Sequence, residues 1–194
     1  MEEALQAVGD LLADENERFA IVVIGGAALQ LLGIVRRTTH DVDVVAFGHA
    51  TAPPTRLIRP PNPLPAPLVR AVRAVARDRD LGEDWLNGGP GGQWDNPSPL
   101  PPGFESRVHW QSFGGLEVGI ADRFDLVHFK LEAAADHPTS ANRHFRDLLA
   151  LSPTPPELRT AANWVRENNA DNGYYASVER VITLIAQAAH QDPT

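Results

Sequence analysis

The run Phe19-Ala20-Ile21-Val22-Val23-Ile24, closed by Gly25-Gly26, constrains this chain more than any other segment. Six consecutive apolar residues, most of them β-branched, make a strand with two apolar faces, and such a strand belongs in the interior of a sheet covered on both sides. The glycines end it, and Ala27 to Leu32 resumes a helical pattern. The chain then returns through Asp41-Val42-Asp43-Val44-Val45-Ala46-Phe47, a second strand. Its Asp41 and Asp43 share a face, because strand side chains alternate with period two. Ahead of the first strand, residues 2–14 set Leu5, Val8, Leu11 and Leu12 at helical spacing with acids in the first turn, which predicts an amphipathic helix.

Beyond residue 50 the chain changes character. Seven prolines between residues 53 and 67 exclude regular helix and central strand, and predict an extended, semi-rigid connection. Pro67 to Asp78 reads as a helix with Leu68, Val72 and Val75 inside and the row Arg70, Arg73, Arg77 and Arg79 outside or alongside. Residues 87–103 form a long Gly/Pro loop of the kind that serves as a lid or binding loop. Ser106 to Phe113 and Leu116 to Ala121 are strands joined at Gly114-Gly115 in a hairpin. Helices follow over Arg123–Asp136, Asn142–Leu151, Pro155–Asn168 and Tyr175–Ala189. The expected architecture is α/β (α+β): a mixed sheet flanked by helices over residues 1–122, with Pro/Gly-rich insertions at about 51–67 and 87–103. A helical carboxy-terminal part over residues 123–194 is expected to pack as one unit with that core.

Composition narrows the functional classes. With 194 residues, the chain can bury roughly 70% of its unfolded surface and needs no disulfide or metal to fold. It has no cysteine, which excludes a disulfide framework, a Cys-ligated metal site and a thiol nucleophile. A net charge of −8 argues against a protein that coats nucleic acid with its whole surface. The longest apolar stretch, Phe19 to Leu32, is broken by Gly25, Gly26 and Gln30 and is too short to span a bilayer. Glu2 and Glu3 stand where a secretory signal carries basic residues, so the expectation is a cytoplasmic protein without membrane association.

The strand–Gly25-Gly26–helix unit followed by a strand with Asp41 and Asp43 is the arrangement that carries chemistry. Paired glycines let backbone approach a phosphate closely, and the helix that follows presents unpaired N–H groups to an anion. Two carboxylates on one strand face offer hard oxygen ligands to a divalent metal whose shell is completed by nucleotide phosphates and water. Arg36 and Arg37, just before the aspartates, are candidate phosphate clamps.

The run IVVIGGAALQLLGIVRRTTHDVDVV resembles the signature of polymerase-β-like nucleotidyltransferases, a GG or GS at a helix start followed by an Asp-x-Asp strand. Within that superfamily it looks most like the AbiEii-type group, the nucleotidyltransferase toxins of bacterial abortive-infection and toxin–antitoxin systems and their relatives. Lys130-Leu131-Glu132-Ala133 resembles that group's K-x-x-A helix, and Arg146-Asp147-Leu148 its Asp-Leu helix. The resemblance spans about residues 19–151. It implies metal-binding carboxylates at Asp41 and Asp43, a triphosphate cradle at Gly25 and Gly26, and a nucleotide-phosphate contact at Lys130. It further implies a late active-site or structural carboxylate at Asp147, and a third carboxylate for which Glu117 is the best-placed residue and Asp122 the runner-up. The sequence departs from the pattern in the fourteen residues between Gly26 and Asp41, and in His137 where the group has arginine.

The reaction implied is Mg²⁺- or Mn²⁺-dependent transfer of a nucleoside monophosphate from an NTP to an acceptor hydroxyl, on RNA such as a tRNA 3′ end or on a protein. A cognate antitoxin is the implied partner, and the oligomeric state is left open. The alternative is a catalytically inactive nucleotide-binding or protein-interaction module that keeps the fold. His40, His109, His128, His137 and His144 lack compact metal-ligand spacing and read as structural or surface residues. The four tryptophans read as core anchors, with Trp94 alone placed to stack on a base.

Overall fold

The computed structural model describes residues 1–48 and 56–191, so Pro53 and Pro54 of the expected insertion lie outside the described residues. The chain forms two compact units, one of Met1–Asp95 with Gly103–Asp122, the other of Asn96–Pro102 with Arg123–Thr194.

In the first unit the elements run α1 (Glu2–Asp14), β1 (Phe19–Ile24), α2 (Gly25–Leu31), β2 (Val42–Gly48), β3 (Leu57–Ile58), α3 (Ala66–Arg79), β4 (Leu86–Asn87), a 3₁₀ helix (Gly89–Asp95), α4 (Phe104–Arg107), β5 (His109–Phe113) and β6 (Leu116–Ile120). The sheet order is β3-β2-β1-β6-β5, with β4 also pairing to β2. β1 runs antiparallel to β2 and parallel to β6, so the sheet is mixed, and its apolar central strand lies in the interior, as expected of a run without a polar face. Ile21, Val22 and Val23 are fully buried. Helix α2 packs on β1 and β2, while α1 packs on β5, β6 and α3. Gly9 makes the α1 approach possible: any side chain there would overlap the Phe113 carbonyl, and Gly9 O accepts from Gly115 N at 2.8 Å.

Boundaries depart from the sequence reading in four instructive places. Helix α2 begins on the glycines rather than at Ala27. The Pro-rich stretch admits a two-residue strand, β3, at the sheet edge where proline's missing donor is tolerated. The expected strand from Ser106 begins only at His109, because Phe104–Arg107 closes one helical turn first.

The fourth is the 87–103 loop, which reads in sequence as a lid or binding loop, or as simply mobile, and which is hydrogen-bonded at Asn87, Trp94 and Ser98. The β1–β2 register slips between Val22 and Val23: Val22 faces Ala46 while Val23 faces Val44, leaving Val45 as a bulge. On the other edge of β2, β3 covers Phe47 and Gly48 and β4 covers Val42 and Asp43, so the stretch around Val45 falls in the gap between them. Trp94, carried on the 3₁₀ helix, fills that gap and its Nε1 donates to Val45 O at 2.7 Å. Arg59 secures the end of the same helix through a two-bond contact with Asp95, at 2.6 and 3.0 Å. Trp94 is therefore a structural clamp. Trp94→Phe keeps the ring and removes the donor; a loss of about 1 kcal/mol is expected in urea unfolding with an unchanged m-value.

In the second unit, α5 (Arg123–Ala135) is the hub on which α6 (Arg143–Ala150), α7 (Pro155–Asn168) and α8 (Asn172–Gln191) pack. The start of α7 is set by a capping box in which Thr154 and Glu157 satisfy each other's backbone donors. Glu157 also pairs with Arg123, whose guanidinium donates to Leu151 O at 2.6 Å. Residues 96–102 of the loop belong here: Ser98 O accepts from Trp164 Nε1 at 2.9 Å and Asn168 Nδ2 at 2.8 Å, and Ser98 N donates to Asn168 Oδ1 at 3.0 Å. Among the described residues no helix is long and apolar enough to cross a membrane.

Candidate active site

The site is built at the end of β1. Ile24 stands opposite Asp43, and the next residue, Gly25, turns with φ +73°, a left-handed conformation that favours glycine. A methyl group at Gly25 would overlap Asp43 Oδ2. Two requirements thus meet at one residue: the backbone must turn left-handed, and its missing side chain leaves the room in which the Asp43 carboxylate sits. Asp41 precedes β2 by one residue and is exposed, while Asp43 is half-buried on the strand. The glycine pair and the Asp-x-Asp segment, separated by fourteen residues in sequence, are brought together by antiparallel pairing.

The third-carboxylate candidates separate by register. Glu117 stands opposite Ala20, four residues from Ile24 along β1, a distance of about 13 Å at strand rise. Its Oε1 accepts from Ser112 Oγ at 2.8 Å. Asp122 follows the end of β6, where Ile120 faces Val23 and Ala121 N donates to Val23 O at 3.1 Å. That register carries Asp122 to the same end of the sheet as Gly25, with its Oδ2 3.0 Å from His109 Nε2. The structure therefore groups Gly25, Gly26, Asp43 and Asp122 at one sheet end and leaves Glu117 toward the other.

Arg36 and Arg37 occupy the connection between α2 and β2, Arg36 exposed and Arg37 half-buried. The α3 arginines do not form an open cationic row. Arg70 pairs with Glu15 at 2.7 Å, Arg79 with Glu3 at 3.1 Å and Arg73 more loosely with Glu83 at 3.7 Å. Acids of the same unit thus compensate three of the four charges.

Lys130 and Asp147 belong to the second unit. Lys130 Nζ lies 2.7 Å from Asp147 Oδ2, with the side chains 5% and 3% exposed, so the pair is a buried ion pair rather than a lysine directed at solvent. His144 precedes Asp147 by one helical turn, and its Nδ1 is buried without a hydrogen-bond partner among the described residues. Burial, reinforced by the nearby Lys130 charge, holds its imidazole below the ordinary histidine range, against the opposing pull of Asp147. The sign follows from linkage: the unfolded chain binds this proton more readily, so the contribution of His144 is present above pH 6.5 and is lost as pH falls through the depressed folded value. Unfolding curves between pH 7.5 and 5 should therefore show His144→Asn losing less stability on acidification than the parent.

Sequence reading did not single out Asn87, which stands beside Asp43 in the parallel β2–β4 pair. A two-residue strand shows no periodicity, and the only local signal was Asn-Gly-Gly at the start of the loop.

A glycine pair packed against a strand carboxylate at the end of a mixed, helix-flanked sheet agrees with the α+β arrangement that the resemblance implies. Comparison with known families agrees at that level: residues 3–54, which run from α1 through the Asp-x-Asp strand, match the model of a family described as "Nucleotidyltransferase of unknown function (DUF6036)". No curated protein matches the chain.

Proposed function

We propose that this protein is a metal-dependent nucleotidyltransferase that moves a nucleoside monophosphate from an NTP to an acceptor hydroxyl. The observation that carries the reading is the fit of Asp43 into the space left by Gly25. Among the described residues, no three His, Asp or Glu side chains form a cage for a metal by themselves. The donor set nevertheless suits Mg²⁺ or Mn²⁺, because such an ion is held by one or two carboxylates together with substrate phosphates and water. Asp41 and Asp43 would hold it, and when bound it would polarise the α-phosphoryl group and help ionise the acceptor hydroxyl.

The chain's own groups do the rest. Gly25 and Gly26 let the triphosphate approach the backbone, and Arg36 and Arg37 supply positive charge toward its oxygens. The acceptor oxygen forms a bond to the α-phosphorus, the bond to the bridging oxygen breaks, and pyrophosphate leaves. The proton of the acceptor passes to a carboxylate, and Asp122 at the sheet end is proposed as that base. Lys130 is proposed as a nucleotide-phosphate contact and Asp147 as a late active-site or structural carboxylate, the two being joined as a buried ion pair. Glu117 is proposed as a secondary candidate beside Asp122.

The AbiEii-type resemblance extends the proposal to a cytoplasmic toxin of a toxin–antitoxin pair, acting on RNA such as a tRNA 3′ end or on a protein hydroxyl, with a cognate antitoxin as partner. The test is transfer from each α-labelled NTP, with Mg²⁺ or Mn²⁺, into total cellular RNA and protein. Label in RNA or in protein identifies the acceptor class. Measurable Mg-NTP binding with no label in either would favour a nucleotide-binding module that has kept the fold without the reaction.

A further inference from the structure

Asn87 is the residue we infer to be a nucleotide contact: its carboxamide N–H donates to a non-bridging phosphate oxygen of the nucleotide held at Asp43. The inference rests on the nucleotidyltransferase reading and adds to it a residue outside the matched segment, 3–54. Two observations carry it.

The first is placement. β4 pairs in parallel with β2, and Asn87 is the register partner of Asp43. Neighbouring residues at the same register project to the same face of a sheet, with Cβ atoms about 5 Å apart. Asp43 is thus flanked by Gly25 beyond β1 and by Asn87 on β4, so a phosphate bound through a metal ion at that carboxylate would come within reach of both.

The second is orientation. Asn87 Oδ1 accepts from Gly89 N at 2.9 Å, an Asx turn that opens the glycine-rich loop. With its oxygen committed to Gly89, the carboxamide has only one polar function to offer a ligand, the two N–H donors of Nδ2. Asn87 is half-buried, and no hydrogen bond among the described residues uses those donors. A neutral donor suits an anion's oxygen, because it adds attraction without bringing a charge of its own. The amide is held in this orientation before a ligand arrives, so less conformational freedom is lost on binding.

The test uses variants that keep the turn. Asn87→Asp retains an oxygen for Gly89 N and replaces the amide by a second oxygen; Asn87→Ser keeps a shorter acceptor and removes the amide without adding charge. Binding of Mg-ATP, Mg-GTP, Mg-CTP and Mg-UTP is measured by calorimetry on the full chain, beside thermal unfolding. Loss of a hydrogen bond to a charged oxygen predicts about tenfold to a hundredfold weaker binding for both variants, with a midpoint of unfolding close to that of the parent. Binding of the corresponding nucleoside, which has no phosphate, should be equally weak in parent and variants. If the parent binds an NTP and both variants bind it as tightly, the role of Asn87 is overturned while the nucleotidyltransferase reading stands. If the parent binds none of the four NTPs, both fall together.

Discussion

Asp43→Asn is expected to lower nucleotide transfer by about 10²- to 10³-fold, the effect of removing one preorganised electrostatic group from a site of this kind. Its stability should change little, because asparagine has the size and shape of aspartate and still fits the space beside Gly25. Initial rates at saturating NTP, with a metal titration for each variant, measure this directly. Undiminished transfer by Asp43→Asn would remove this carboxylate from the chemistry. Gly25→Ala makes the complementary case from the other side of the contact. It forces a left-handed alanine, at about 1–2 kcal/mol, and drives its methyl group into Asp43 Oδ2. Activity and stability should therefore fall together at Gly25, whereas at Asp43 activity falls alone.

Lys130→Met should cost about 3–5 kcal/mol, because it leaves the Asp147 carboxylate buried without its ammonium partner. That is a large share of the roughly 5–15 kcal/mol available to a typical domain. Pairing it with Asp147→Leu removes both charges, and replacement of a buried ion pair by apolar residues is often close to neutral, so the double variant should recover most of the loss. Denaturant unfolding of the two single variants and the double variant completes the cycle. The double variant also separates structure from chemistry at this pair. A stable double variant that still transfers label confines Lys130 to packing. A stable double variant that no longer binds Mg-NTP gives the lysine a part in holding the nucleotide.

How much of this was legible in the sequence depended on how local the cause was. β1 was readable because an unbroken β-branched run has few other homes, and α1 and α7 because their periodicity and end signals lie within one segment. The Gly25–Asp43 partnership could be anticipated as an ordered pair of motifs, but not its closeness, which depends on a left-handed turn and strand register. Register also decided what spacing could not: Glu117 and Asp122 are both carboxylates on or just after β6, and only the pairing with β1 shows which reaches the end beside Gly25. Asn87, and the identity of the strand that Trp94 anchors to, were illegible for a related reason. Each residue acts on β2 from a segment about fifty residues away, in a loop whose glycines and prolines advertised only irregularity.

The bulge at Val45 has a consequence for how this strand can change over time. Residues 46 and 47 keep phase with one half of β1, whereas 43 and 44 keep phase with the other, and Val45 absorbs the difference. Deleting that one valine would straighten the ladder without moving the pairs on either side, since Ala46 would follow Val44 directly, with Val44 still opposite Val23 and Asp43 still opposite Ile24. What the deletion takes away is the local kink and the Val45 carbonyl that accepts from Trp94 Nε1, so the clamp is lost while the carboxylate keeps its register. Point changes at position 45 that keep an apolar side chain should pass almost unnoticed, while a single-codon loss there would cost the Trp94 contact and leave Asp43 in step with the glycines.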